Sequence, residues 1–458
     1  MSDVARAGES SSAAAASATT GPKLARLRTP TRLNVCMWAG AILVLGQGLL
    51  LTGIDQPAKL YFDEVHYVPA ALAFLHHQPP INLEHPPLAK WLIGASIAVF
   101  GDDPLGWRYA SALFGALSLV GVYLWALALF RDNRPALWAT AATFVDQALY
   151  VQARIAMLDI FALAFSLLGM AAFTATWMRA PPLRVRNLFL IAGVCFGLSA
   201  ACKWSGLVPL ALSIAIVAVV KLFQNWRMSF AKPVAGDWFR PDLWRDMSGW
   251  DWVLCLVLAP SLAYYLAFAT MGYSTLVPLN FIAAQTHIWG ENSTLSGTHP
   301  YMSGWPEWPF ALRGVWYFFE GEHWDTSAAS AQAVLYLGNP LVLLGGLVAA
   351  IACALSWISD RRFEAFIILA AYAAFWLCWA ILPRTLTFAF YYLPASTVLS
   401  LALAYLFYRT RLERWPWTRR LFLFAATAMF LYFLPISNAA VRVSEPGFNA
   451  SMWLKSWR

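Results

Sequence analysis

Two carboxylates stand side by side, Asp63 and Glu64, in the segment YFDEVHYVPAALAFLHHQ. His66 follows, then Glu84-His85-Pro86-Pro87-Leu88-Ala89-Lys90, then Trp107-Arg108. Further on, Asp146, Gln152, Arg154 and Asp159 cluster about one short turn, Lys203 lies in CKWSG and Arg384 in LPRTL. Singly, each has a bland structural reading: a carboxylate can cap a helix, and a cation near a membrane surface can snorkel. Together they form a set of acidic, imidazole and cationic groups bordered by long apolar runs, where such groups are costly and usually functional. The chemistry that suits them is transfer of a sugar from a lipid phosphate. The phosphate is already a good leaving group, so it needs cations instead of a general acid, with Arg binding it bidentately and Lys as a point charge. The acceptor hydroxyl needs one carboxylate to take its proton. Asp63 precedes a helical pattern, so the helix dipole favours its ionised form near neutral pH. One such Asp with Arg and Lys is sufficient, unlike the paired carboxylates of glycoside hydrolysis.

The elements that must hold these residues follow from composition. Of 458 residues 60% are hydrophobic and 12% charged, with 24 Trp, against about 25% charged in soluble domains. The solvent for much of the chain is therefore lipid. Apolar runs long enough to span occur at about 34–53, 108–130, 135–151, 156–178, 187–203, 205–222, 251–271, 333–356, 363–382, 387–408 and 420–437. The expectation is an all-α polytopic membrane protein with about eleven transmembrane helices. Residues 1–33, rich in Ser and Ala and then basic, read as a disordered cytoplasmic tail, 34–437 as the membrane domain, and 438–458 as an extracytoplasmic segment.

Alternating sides from a cytoplasmic N-terminus places 22 of the 32 Lys and Arg inside and 10 outside, as the positive-inside rule requires. The net charge of +8 is thus explained by topology, and nucleic acid is excluded as a partner. The same orientation puts all seven His outside, together with the residues singled out above. Two outer loops are long. In the first, 54–107, Val65, Val68, Leu72 and Leu75 recur at helical spacing and predict a helix along the membrane surface. The second, 272–332, reads as a folded cap rich in Trp, Pro and Gly. The six Cys all fall in apolar runs, where a thiol behaves as a small hydrophobe, so they report nothing on redox compartment. Two sequons, at Asn292 and Asn449, lie outside.

The chain has no P-loop, no GxGxxG, no Asp-x-Asp and no HExxH, so nothing points to ATP, NAD or a built-in structural metal. No cofactor is required by the sequence. A Mg²⁺ or other divalent cation bridging carboxylate and phosphate is chemically reasonable, though no motif demands it, and its ligands are unknown.

In order along the chain, YFDEVH, HPPLAK, GWRYASALFG, FVDQALYVQARIAMLDI, GLSAACKWSGL, HPYMSGWPEWPF, LGNP and RTLTFAFYYLP resemble the motifs of the protein O-mannosyltransferases, from about residue 60 to 395. The resemblance implies the C-type lipid-dependent glycosyltransferase fold with an extracytoplasmic site. It implies inverting transfer of mannose from polyprenyl-phosphate mannose to Ser or Thr hydroxyls of proteins, in the plasma membrane. Carried over by position, Asp63 is the catalytic base with Glu64 beside it, and Arg108 is an essential cation that binds phosphate or organises the site. Lys203 and Arg384 are phosphate contacts. His66, His85, Lys90, Asp146, Gln152, Arg154, Asp159 and Tyr392 are the remaining substrate-binding candidates. Two departures stand out. The large luminal β-trefoil domain of eukaryotic members has no counterpart here, as in shorter bacterial members. The family's His-Tyr-Leu-Pro is Tyr391-Tyr392-Leu393-Pro394, which leaves the role of position 391 open.

Three rival readings are a related transferase with a lipid or glycan acceptor, like the aminoarabinose transferases of lipid A, a transporter, and a non-catalytic binding subunit. Against a transporter, the sequence has no paired interrupted helices and no internal symmetry, and its charges gather at one face instead of the midplane. A binding subunit would tolerate loss of Asp63.

Overall fold

A computed structural model describes residues 30–178, 181–230, 242–272, 276–321 and 330–458. The expected tail is therefore outside the described residues up to position 29, and so is His323. The helices in chain order begin with α1 (Arg32–Leu51), α2 (Glu64–Leu75), α3 (Leu88–Phe100), α4 (Pro104–Phe130), α5 (Asn133–Phe144), α6 (Gln147–Gln152), α7 (Asp159–Ala175), α8 (Pro182–Cys202) and α9 (Leu207–Phe230). After these come α10 (Gly249–Val253), joined by a π-helical turn to α11 (Ala259–Ala267), then α12 (Pro278–Thr294), α13 (Pro340–Asp360), α14 (Phe363–Ile381), α15 (Leu393–Arg409) and α16 (Pro416–Phe433).

Among the described residues nine helices are long and apolar enough to cross a membrane. The other two spans expected from sequence, 135–151 and 156–178, fall on α5 with α6 and on α7, which have 12, 6 and 17 residues. The break between α5 and α6 falls at Val145 and Asp146, where the Asp146 side chain caps α6 by accepting from Ala148 N. Small residues bring the helices close: a Cβ on Gly193 of α8 would sit 1.9 Å from Cys255 O, and one on Gly197 would sit 2.3 Å from Pro260 O. Small residues at a helix contact are the usual route to tight packing in lipid.

Helix ends sort into two layers. At one, the Asn34 and Asn133 side chains bond, joining the starts of α1 and α5, and Arg409 at the end of α15 donates to Phe130 O. At the other lie the end of α1, the start of α4, and a small sheet. That sheet amends the expectation of an all-α chain to a mostly helical one. β1 (Val315–Gly321) pairs antiparallel with β2 (Ser330–Tyr336), and β2 with β3 (Val443–Ser444). The run VWYFFE is made of the aromatic and β-branched residues that favour strands. The register shifts between Trp316 and Phe318, so Tyr317 sits in a bulge, and bulges re-aim a side chain locally. β3 belongs to the C-terminal segment, which α13 to α16 return to the same layer as β2.

Candidate active site

Asp63 ends a short turn, Tyr61-Phe62-Asp63, immediately before α2. Phe62 is a non-glycine residue in the left-handed region, with φ 48°, a conformation that costs about 1–2 kcal/mol and clusters at functional sites. The bulged Tyr317 holds it there: the two rings stack at 4.2 Å and 18°, and Tyr317 OH donates to Gln152 Oε1 at 2.8 Å. The Asp63 carboxylate makes no capping bond to α2, which removes the plain structural reading of that residue. It is partly buried and opens on a cavity of about 280 Å³ that Tyr67, His85 and Arg384 also line, with the exposed His66 at its rim. Burial pushes the Asp63 carboxyl up to about 6. Lys203 opposes that rise, Asp159 adds to it, and His66 and Arg384 oppose it further. The His85 imidazole is held well below its usual range, first by burial and then by the charges of Lys203, Lys90 and Arg384, so it is neutral at physiological pH.

Glu64, the neighbouring carboxylate, points the other way. Its two oxygens take Arg108 Nε at 2.8 Å and Nη2 at 3.0 Å, and both side chains are fully buried. Arg108 Nη1 also donates to Ile54 O and Pro57 O, and Nη2 to Lys59 O, so all five of its donors are used. Glu64 further accepts from Ala156 N at 2.9 Å. The pair ties the first outer loop to α4 and to the turn before α7. Arg108 thus has no donor left for a phosphate, and the alternative of a site-organising cation is the one its geometry fits.

Lys203 Nζ bonds both oxygens of Asp159, at 2.7 and 2.9 Å. It also lies 4.8 Å from the centre of the Tyr391 ring, which Arg384 approaches at 5.3 Å and on which Trp379 stacks at 4.5 Å. Position 391, where the resemblance left no role, is therefore a platform for two cations. Arg384 Nε donates to Leu386 O and Nη1 to Asn292 Oδ1. Among the described residues its Nη2 has no acceptor. Next to Lys203, Trp204 marks one end of an apolar cleft of about 1180 Å³ between α8, α9, α11 and α12, lined by Ala200, Leu207, Leu262 and Phe281.

Several sequence candidates are taken up by structure. Arg154 donates to Leu50 O, Thr52 O and Gly53 O, closing the C-terminal carbonyls of α1. Asp146 accepts from Asn339 N at 2.8 Å, joining α6 to the start of α13. Lys90 is 1% exposed and donates to Asn82 O and His85 O. Tyr392 OH pairs with Tyr372 OH at 2.7 Å, away from the cavity. The polar ends of these four substrate-binding candidates already have protein partners, a geometry that fits a structural role. Gln152 acts at one remove, through Tyr317. Tyr391, whose role the sequence left open, and Asn292, noted there only as a sequon, both sit beside Arg384. The signal for the first lay in the adjacent motif, but a sequence does not say which of two neighbouring tyrosines faces the site.

A family model described as dolichyl-phosphate-mannose-protein mannosyltransferase matches residues 103–277, and one described as the C-terminal four TMM region of protein-O-mannosyltransferase matches 278–457. The chain belongs to the protein O-mannosyltransferase family. A polyprenol-phosphate-mannose–protein mannosyltransferase of Mycolicibacterium smegmatis is 26% identical over 87% of each chain. The solved Saccharomyces cerevisiae protein O-mannosyltransferase Pmt1–Pmt2 complex, bound to the sugar donor, superposes with a TM-score of 0.75 at 16% identity over 94% of each chain. ArnT from Cupriavidus metallidurans, bound to undecaprenyl phosphate, gives 0.57 at 14% over 88% of this chain and 71% of its own. The two structures establish the C-type glycosyltransferase fold. Within the family's four-helix C-terminal region, α13 to α16 bring the Arg384 loop and the C-terminal segment to the Asp63 layer.

Proposed function

We propose that this chain transfers mannose from polyprenyl-phosphate mannose to Ser or Thr hydroxyls of proteins, with inversion, at the extracytoplasmic face of the plasma membrane. The observation that carries the reading is one cavity with a capless, partly buried Asp63 and an Arg384 that retains unbonded donors. The names of the relatives support the donor and the acceptor, and the basic residues of the opposite layer support the orientation. The polyprenyl chain lies in the apolar cleft beside Trp204. The phosphate meets Arg384, since Lys203 is already neutralised by Asp159 and serves to hold the site's charge in place. Asp63 takes the proton of the acceptor hydroxyl as its oxygen attacks the sugar's anomeric carbon and the phosphate departs from the far side. Glu64 and Arg108 are positioning residues that fix the turn carrying Asp63. Among the described residues no three of His, Cys, Asp or Glu are grouped to hold a metal ion, and no step here is routed through one.

The test is purified protein in nanodiscs, given polyprenyl-phosphate mannose labelled in the sugar and a Ser/Thr-rich peptide. Label on the peptide is expected. Label on lipid or glycan acceptors alone would replace the protein acceptor, and no consumption of donor by folded protein would overturn the reading.

A further inference from the structure

The loop between α2 and α3 carries a carboxylate that the scheme above leaves unused. Glu84 is fixed from both sides. Lys90 Nζ, buried beneath it, holds the flanking carbonyls of Asn82 and His85, the latter at 2.9 Å. From the other side Asn292 Nδ2 donates to Glu84 O at 2.7 Å, while the same side chain's Oδ1 receives Arg384 Nη1 at 2.9 Å. One amide therefore bridges the Glu84 backbone and the guanidinium. Glu84 lines the cavity that holds Asp63 and Arg384. Its Oε2 is sealed from solvent and no donor among the described residues reaches it. A carboxyl oxygen closed off without a donor is a costly arrangement in a folded protein, and it calls for a donor that arrives with a ligand.

We infer that Glu84 accepts hydrogen bonds from hydroxyl groups of the donor's sugar, and so sets which sugar the site takes. This rests on the reading of the cavity as a lipid-phosphate-sugar site. Of the three parts that meet there, the phosphate is anionic and repels a carboxylate, and the acceptor hydroxyl is engaged by Asp63. The sugar is left, and its hydroxyls are the neutral donors that a carboxyl group at the edge of this cavity lacks. It is bonded directly to the phosphate, so a residue one amide away from the phosphate-binding Arg384 is placed to read it. Glu291 also borders the cavity but is exposed, where water supplies its donors.

The experiment compares wild type, Glu84→Gln and Glu84→Ala with intact polyprenyl-phosphate mannose and with donors lacking the 2-, 3-, 4- or 6-hydroxyl. Transfer from the intact donor by Glu84→Ala should fall at least ~10-fold in kcat/KM, about the 1.4 kcal/mol of a hydrogen bond to a charged group, with the KM for acceptor peptide unchanged. For one or two deoxy donors the wild type should lose the same factor and the variant should lose nothing more. The isosteric Glu84→Gln carries the comparison if the alanine variant does not fold. Losses that multiply at every hydroxyl, or an effect confined to the acceptor KM, would overturn the assignment and put Glu84 on the peptide. Failure of wild type to use any mannosyl donor would instead sink the transferase reading itself.

Discussion

At the residue scale, Asp63 must be ionised to accept a proton, and burial has moved its pKa from the carboxylate range to about 6. The base form is present above that value and is lost as pH falls through it. Transfer should therefore be flat above pH ~7 and decline about tenfold per unit well below 6, as a single ionisation requires. Arg384 opposes the rise, so Arg384→Gln should move this acid limb to higher pH in addition to lowering the plateau. A pH–rate profile of both proteins checks this, and a limb that stays put or moves down would contradict it. Tyr391 acts through its ring, which Lys203 and Arg384 share. Cation–π contacts contribute about 0.5–2 kcal/mol each, so Tyr391→Ala should cost ~10-fold in kcat/KM while Tyr391→Phe stays within ~3-fold. Equal losses in the two variants would shift the role to the hydroxyl.

At the scale of elements, the site depends on how the first outer loop is anchored. The fully buried Glu64–Arg108 pair crosses from that loop to α4, and breaking a buried pair from one side costs about 3–5 kcal/mol. Glu64→Gln should accordingly lower thermal stability in detergent by an amount of that order and lose activity in step with the folded fraction. An unaltered unfolding midpoint with lost activity would make Glu64 a participant in the chemistry. The elements themselves were unevenly legible in the sequence. The apolar spans were readable because lipid leaves a helix no other way to satisfy its backbone. The start of α2 was readable from its apolar spacing. The sheet was not, since β2 and β3 are more than a hundred residues apart and no local pattern announces their pairing. The partners of Arg154 were not legible for the same reason: the carbonyls it closes lie at the end of α1, about a hundred positions earlier.

For the whole molecule, the sequence carried the grouping of charges at one face, because the charged segments alternate with spans in a fixed order. It did not carry the division of labour among them. Whether a cation is free for a ligand depends on which carbonyls and carboxylates fold against it: Arg108 and Lys90 have every donor taken by distant or looped-back partners, and both terminal nitrogens of Arg154 are taken in the same way. The proposed orientation has a direct check in intact cells. With the exposed Cys36 replaced, a cysteine at the exposed Gln78 should react with a membrane-impermeant maleimide, while one at the exposed Glu413 should react only after permeabilisation. The reverse pattern would place the cavity in the cytoplasm.

The most direct measurement of the central claim is mannosyl transfer by Asp63→Asn beside wild type, with thermal unfolding followed on the same samples. The Asp63 side chain makes no capping bond to α2, and its backbone bonds from His66 N and Tyr67 N survive the substitution, so the variant should unfold at the wild-type temperature while transfer falls at least ~100-fold, the usual share of a general base. Undiminished transfer by the folded variant would contradict the assignment of Asp63 as the base.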